Sequence, residues 1–202
     1  FNEGRDVHAA TAAEVFDTPL AQVSNDQRRA AKAINFGLMY GMSAFGLSKQ
    51  LEIGRDEASA YIEKFFERFA GVRQFMDDTR KAAGAQGYVE TLFGRRLYLP
   101  EINAKNAQRR QYAERTAINA PLQGTAADLI KKAMIAVDAW LYETGEPATM
   151  VMQVHDELVF EVPRGEAERL GKAIAERMSA VADLDVPLLA EAGIADNWQL
   201  AH

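Results

Sequence analysis

Cysteine is absent from the 202 residues, which excludes disulfides and thiolate metal sites and agrees with a reducing cytoplasm. No apolar run approaches the roughly 20 residues needed to cross a bilayer. No signal peptide is visible either, so no membrane partner is expected. Repeats and low-complexity tracts are missing. Positive charge is not in excess: the net charge is −6, a balance that by itself argues against a nucleic-acid binder. Local clusters qualify that average, because Arg28, Arg29 and Lys32, then Arg95 and Arg96, then Arg109 and Arg110 each concentrate cations, and a phosphate-binding surface needs only local positive potential. An initiator methionine is also lacking. The chain opens at Phe1 on a polar run (Asn2, Glu3, Gly4, Arg5, Asp6) with no helix cap, and so reads as a cut inside a larger protein. What is present is 48% hydrophobic, enough for a sizeable core in one large domain or two small ones.

The pattern is helical up to about residue 85. A short helix is expected over Thr11–Val15. Ser24, with Gln27 three residues on, forms a capping-box signal for a helix from about Asp26 to Tyr40, which Gly41 stops. Further helices are expected over Ala44–Leu51, Arg55–Phe69 and Val72–Ala85. The Arg55–Phe69 helix carries Ala58, Tyr61, Ile62, Phe65, Phe66 and Phe69 as a core-facing stripe. The period then shortens. Residues 88–99 read as a β-hairpin turning near Gly94, ended by Pro100. A long helix from about Ala104 to Tyr142 follows, with Pro121 expected to kink it. Met150–Val162 is a second hairpin, Glu166–Val181 an amphipathic helix, Val186–Ala190 a short strand, and Asn197–His202 surface. The expected class is α+β, with a helical subdomain over 1–85 and a sheet-plus-helix portion over 86–202.

Arg28, Lys32, Phe36 and Tyr40 recur every four residues. Each step turns the helix by about 400°, so the four side chains drift only about 40° apart per step and share one face over roughly 18 Å. The cations lie toward the N-terminal end, where the helix dipole also favours anions, and the rings toward the C-terminal end. A nucleoside triphosphate is graded the same way. Arg28 can grip a terminal phosphate through its fork of donors, Lys32 can act as a point charge nearer the bond that breaks, and Phe36 and Tyr40 can pack on sugar and base. Gly37 and Gly41 leave room for backbone to approach a base pair. An ordinary amphipathic helix, solvated at its basic end and buried at its aromatic end, fits the same spacing.

The second constellation is His155, Asp156 and Glu157 at the tip of the apolar hairpin. Adjacent carboxylates are costly to bring together unless a cation neutralises them, and hard divalent cations prefer oxygen ligands. A polar turn in an apolar hairpin reads the same way. A third stripe, Arg115, Asn119 and Gln123, repeats the four-residue spacing. It offers donors and acceptors suited to the minor groove, where acceptors occur in every base pair, or simply forms a polar helix face. Ser43 and Phe45 follow the first helix of interest. An exposed Phe45 would stack on a base, and a core phenylalanine is the plainer alternative.

These residues together resemble the family A DNA polymerases of bacteria. The segment Arg28–Gly41 is similar to that family's signature of an Arg, a Lys four residues on, and then a Tyr-Gly. The segment Met152–Val159 resembles its palm hairpin. The resemblance implies a helical fingers subdomain over 1–85 and part of an antiparallel-sheet palm over 86–202. It implies that Arg28 and Lys32 bind the triphosphate of a dNTP, with His8 as a further phosphate contact. Phe36 lies against the sugar, where Phe rather than Tyr discriminates against dideoxynucleotides, and Tyr40 lies by the nascent pair. Asp156 is implied to be a ligand of the catalytic Mg²⁺ ions, Glu157 an auxiliary carboxylate, and His155 a neighbour of the primer end. Arg115, Asn119 and Gln123 would track the primer–template, Arg109 and Arg110 would contact the template strand, and Ser43 and Phe45 would border the templating base. Arg95 and Arg96 read as a solvated turn.

The implied reaction is two-metal transfer of a dNTP to a primer 3′-OH, in the bacterial cytoplasm. The resemblance implies a second metal-binding Asp and a thumb in a segment before Phe1, so the chain as given is expected to be inactive alone and to partner that N-terminal part. The alternative is a nucleotide- or DNA-binding module without chemistry. A hydrolase built on His155 and Asp156 lacks further ligands at useful spacing, since His8 and His202 are remote.

Overall fold

The computed structural model describes residues 6–201. The opening run of residues 1–5 and His202 lie outside the described residues. The described residues are mostly helical with two small antiparallel sheets, an α+β arrangement. It forms two compact units, dividing between Leu122 and Gln123.

In the first unit, α1 spans Val7–Val15. It does have a cap: the Asp6 carboxylate accepts from the backbone N–H of His8 and Ala9, both at 3.0 Å. The uncapped opening expected at Phe1 lies outside the described residues. Asp6 is itself the first non-helical residue, and it satisfies donors that the helix's first turn leaves without partners. After a 3₁₀ turn at Leu20–Gln22, α2 (Asn25–Met39) starts from the expected capping box. Ser24 Oγ accepts from Gln27 N, and Gln27 Oε1 accepts from Ser24 N. Ser24→Ala is expected to destabilise the protein by about 1 kcal/mol, read as a lowered denaturation midpoint with an unchanged m-value.

Helix α2 buries Ala31, Ile34, Asn35 and Leu38, at the spacing of a single helical stripe. It ends at Gly41, whose φ of +81° is left-handed and costs a glycine little. Helices α3 (Ala44–Leu51), α4 (Arg55–Arg68) and α5 (Ala70–Gln86) follow. Ile34, Leu38, Leu47, Ala58 and Phe65 form their shared core, with Tyr61, Ile62, Phe66 and Phe69 packed around it. Burial pushes the Tyr61 phenol well above its usual range. Strands β1 (Tyr88–Glu90) and β2 (Arg96–Tyr98) pair antiparallel, Val89 opposite Leu97. Val89, Leu99 and Ile102 pack on Ala83 and on Ala113 and Ala117 of α6.

Helix α6 (Ala107–Thr144) starts three residues later than expected because Asn106 Oδ1 caps it, accepting from the backbone of Gln108 and Arg109. It runs as one helix through Pro121, although that residue has no N–H to give the preceding turn.

In the second unit, Val137 and Leu141 of α6 pack with Ile174 of α7 (Ala167–Ser179), which follows a 3₁₀ turn at Arg164–Glu166. Strands β3 (Thr149–Val154) and β4 (Glu157–Glu161) form the second hairpin, with a bulge between Met150 and Met152. The bidentate pair of Arg169 with Glu146 holds the Glu146 carboxyl below its usual range. The strand expected over residues 186–190 is not formed. Pro187 removes a ladder donor there, Leu189 is 80% exposed, and no strand among the described residues pairs with the segment. A short helix, α8 (Trp198–Ala201), ends the described chain.

Candidate nucleotide and metal site

Helix α2 presents Arg28, Lys32, Phe36 and Tyr40 to solvent along the face its buried stripe leaves open. The aromatic end is not buried as an ordinary amphipathic helix would have it. Phe36 is 40% and Tyr40 36% exposed, and their rings stack with centroids 6.3 Å apart, inclined by 14°. Lys32 Nζ sits 5.8 Å from the Phe36 centroid. Exposed stacked rings beside cations make a surface on which a planar, anionic ligand can lie. Arg28 Nε donates to Asp6 Oδ2 at 2.6 Å. The Asp6 carboxyl is held below its usual range, first by the backbone N–H of Ala9 and then by the Arg28 guanidinium.

His8, on α1, meets the same stripe. Its ring stands edge-on to Phe36 at 5.6 Å, and its Nδ1 lies 3.0 Å from Asn35 Nδ2. Burial, and then the cations Arg28 and Lys32, push its pKa down against the opposing pull of Asp6.

The backbone around Gly37 is not open to a ligand on the side where a Cβ would stand. An added Cβ would fall 2.3 Å from Met42 Cε, so the Met42 side chain already fills that space. Gly41 has Arg115 as its neighbour, with Arg115 Cγ 3.5 Å from where a Cβ would be. Ser43 caps α3, its Oγ accepting from Gly46 N at 3.3 Å. Phe45 is 50% exposed rather than core, with Lys49 Nζ 4.6 Å over its ring.

On α6, Arg109 and Arg115 line a shallow groove of about 390 Å³ with Glu101, Gln108 and Tyr112. Arg110 donates to the Ala104 carbonyl at 3.0 Å and lies 3.8 Å from Glu114. Asn119 keeps a buried Oδ1 with no hydrogen-bond partner among the described residues. Such an atom is costly unless something completes it. Gln123 is exposed at the start of the second unit. Arg96 pairs with Glu90 at 2.7 Å and lies over Tyr88.

In the second unit, His155 and Asp156 form the two-residue tip between β3 and β4, both exposed. His155 has φ +50°, a left-handed value unusual for a residue with a Cβ, and Gln153 Nε2 donates to its carbonyl at 2.6 Å. Glu157 opens β4, and its carboxylate accepts from the indole N–H of Trp198 at 3.2 Å. The donor set of Asp156 and Glu157 is hard oxygen, which suits a divalent cation such as magnesium. Among the described residues no group of three or more His, Asp or Glu stands where a metal ion could be held.

Sequence reasoning missed Asp6, Asn35, Tyr112 and Trp198. Asp6 before an alanine-rich helix is a readable cap signal. Asn35 could have been noticed as a polar residue in an apolar stripe. Trp198 meets a partner 41 residues away, which no local pattern announces.

The family model for DNA polymerase family A matches residues 1–200. The chain belongs to DNA polymerase family A. It is 60% identical over 202 residues to DNA polymerase I of Pseudomonas aeruginosa, covering all of this chain and 22% of that protein. It is 47% identical over 208 residues to DNA polymerase I of Rhizobium leguminosarum, covering 20% of that protein. The chain thus spans about a fifth of the length of these family A relatives. A solved POL domain of Pol1 from M. smegmatis, in complex with DNA primer-template and dNTP, matches with a TM-score of 0.94 and 44% identity over 99% of this chain and 35% of that one. No helix among the described residues is long and apolar enough to cross a membrane.

Proposed function

We propose that this chain forms the fingers (1–85) and part of the palm (86–202) of a longer DNA-directed DNA polymerase that adds dNTPs to a primer 3′-OH on a DNA template. The observation that carries this reading is the exposed stripe of Arg28, Lys32, Phe36 and Tyr40 with His8 against it. Arg28 and Lys32 bind the triphosphate, and His8 supplies a further phosphate contact. Phe36 packs on the sugar and selects against dideoxynucleotides. Tyr40 lies by the nascent pair, with Ser43 and Phe45 bordering the templating base. Arg115, Asn119 and Gln123 follow the minor groove of the primer–template, Arg109 and Arg110 contact the template strand, and His155 lies near the primer end.

Asp156, with Glu157 as auxiliary, would hold magnesium together with a second carboxylate from the rest of the polymerase. That metal would supply Lewis-acid stabilisation of the phosphoryl charge. The polymerase works in the bacterial cytoplasm, on nucleoid DNA.

Primer extension tests the reading. The complete protein containing this chain is expected to extend a templated primer with dNTPs and Mg²⁺, and the 202-residue chain to bind dNTP without extending. A complete protein that keeps Asp156 and never extends a primer refutes the assignment.

A further inference from the structure

Asn35 is a polar residue in the buried stripe of α2, only 5% exposed among Ala31, Ile34 and Leu38. A buried amide is costly unless its atoms are hydrogen-bonded. Its Oδ1 is buried with no partner among the described residues, where the side chain bonds through Nδ2 to His8 Nδ1 at 3.0 Å. This arrangement sacrifices one end of the amide to satisfy a single imidazole nitrogen.

The placement of the amide, with Nδ2 toward the ring, sets the direction of that bond. An amide nitrogen has only hydrogens to offer, so it donates, and Nδ1 must present its lone pair. The ring proton of the neutral imidazole is then on Nε2, at the edge of the ring away from Asn35. We infer that Asn35 is a positioning residue for nucleotide binding: it holds the His8 ring edge-on to Phe36 with Nε2–H as the donor, directed to an anionic phosphate oxygen of the dNTP that Arg28 and Lys32 grip. The inference rests on the dNTP-binding reading given above.

The surroundings support it. The charged groups acting on the ring are Asp6 at the cap of α1 and Arg28 and Lys32 on α2. Burial and the two cations favour the neutral ring, and a neutral ring needs the correct tautomer to donate at all. The other tautomer would turn a lone pair toward the phosphate and repel it. Asn35 thus supplies what the cations cannot, because charge alone does not choose between the two nitrogens.

The tautomer is read directly. In the 15N-histidine spectrum of the unsubstituted complete polymerase, long-range proton–nitrogen couplings are expected to show His8 neutral with its proton on Nε2. A proton on Nδ1 overturns the inference without any variant needing to fold. Asn35→Asp places a carboxylate on Nδ1, and should move the proton there and raise the His8 pKa in the same spectrum; an unmoved proton and pKa also count against it.

In the complete polymerase, Asn35→Leu is expected to raise the KM for dNTP about 3- to 10-fold with little change in kcat, and to add nothing further in a His8→Ala background. A KM that stays put in Asn35→Leu but rises in His8→Ala, or effects that simply add, overturns the positioning role. If His8→Ala leaves KM unchanged, the phosphate-binding reading of His8 itself fails, whatever the tautomer spectrum says of Asn35.

Discussion

Asp156→Asn in the complete polymerase is expected to lower the rate of single-nucleotide incorporation with Mg²⁺ by at least about 100-fold. Losing an outer-shell partner of a metal ligand already costs about 10–100-fold, and Asp156 is read as a direct ligand. The substitution keeps the size of the side chain and falls on an exposed hairpin tip, where surface changes typically shift stability by within about 0.5 kcal/mol. The unfolding midpoint should therefore not move, and neither should dNTP affinity measured without turnover, because the cationic stripe lies on α2. Glu157→Gln should have a smaller effect on rate, since that carboxylate already has an indole partner in Trp198. An incorporation rate near that of the unsubstituted enzyme would remove Asp156 from the reaction.

Lys32→Ala is expected to cost kcat/KM for dNTP about 10- to 150-fold. The figure follows from roughly 1.5–3 kcal/mol for a hydrogen bond to a charged group, at about 1.4 kcal/mol per tenfold. Lys32 is exposed, with its ammonium 5.8 Å from the Phe36 centroid, so the loss should be one of ligand interaction. Raising ionic strength should shrink the difference between the two proteins, as screening weakens exposed charges. Lys32→Arg should recover only part of the loss, because a planar fork does not replace a compact point charge. Equal kcat/KM in Lys32→Ala would sink the reading of α2 as the triphosphate helix.

Much of this arrangement was legible because it is local. Ser24 and Gln27 are three residues apart and announce their own capping box. Ala44–Leu51 formed as a helix over the expected residues because its cap, Ser43, and its apolar spacing lie within two turns. Gly94, with φ +81°, turns the first hairpin where a glycine is the natural choice. The failures have equally specific causes. Residues 186–190 are apolar enough for a strand, but a strand needs a neighbour's hydrogen bonds, and composition does not say whether one exists. Phe45 could be placed in or out of the core only by knowing which face of α3 carries Leu47 inward. The Asn35–His8 bond spans 27 residues and the Trp198–Glu157 bond 41. Neither leaves a periodic trace, yet both join residues of the candidate site to residues that sequence reasoning did not consider.

The backbone at His155 adds a consequence for engineering. A left-handed φ of +50° is comfortable for glycine and strained for a side chain with a Cβ. With His155 proposed to lie near the primer end, stability and activity pull this position in opposite directions. A screen for thermal tolerance would tend to install glycine here and gain a calmer hairpin. A screen for primer extension would keep the imidazole next to Asp156 and accept the tension in the turn.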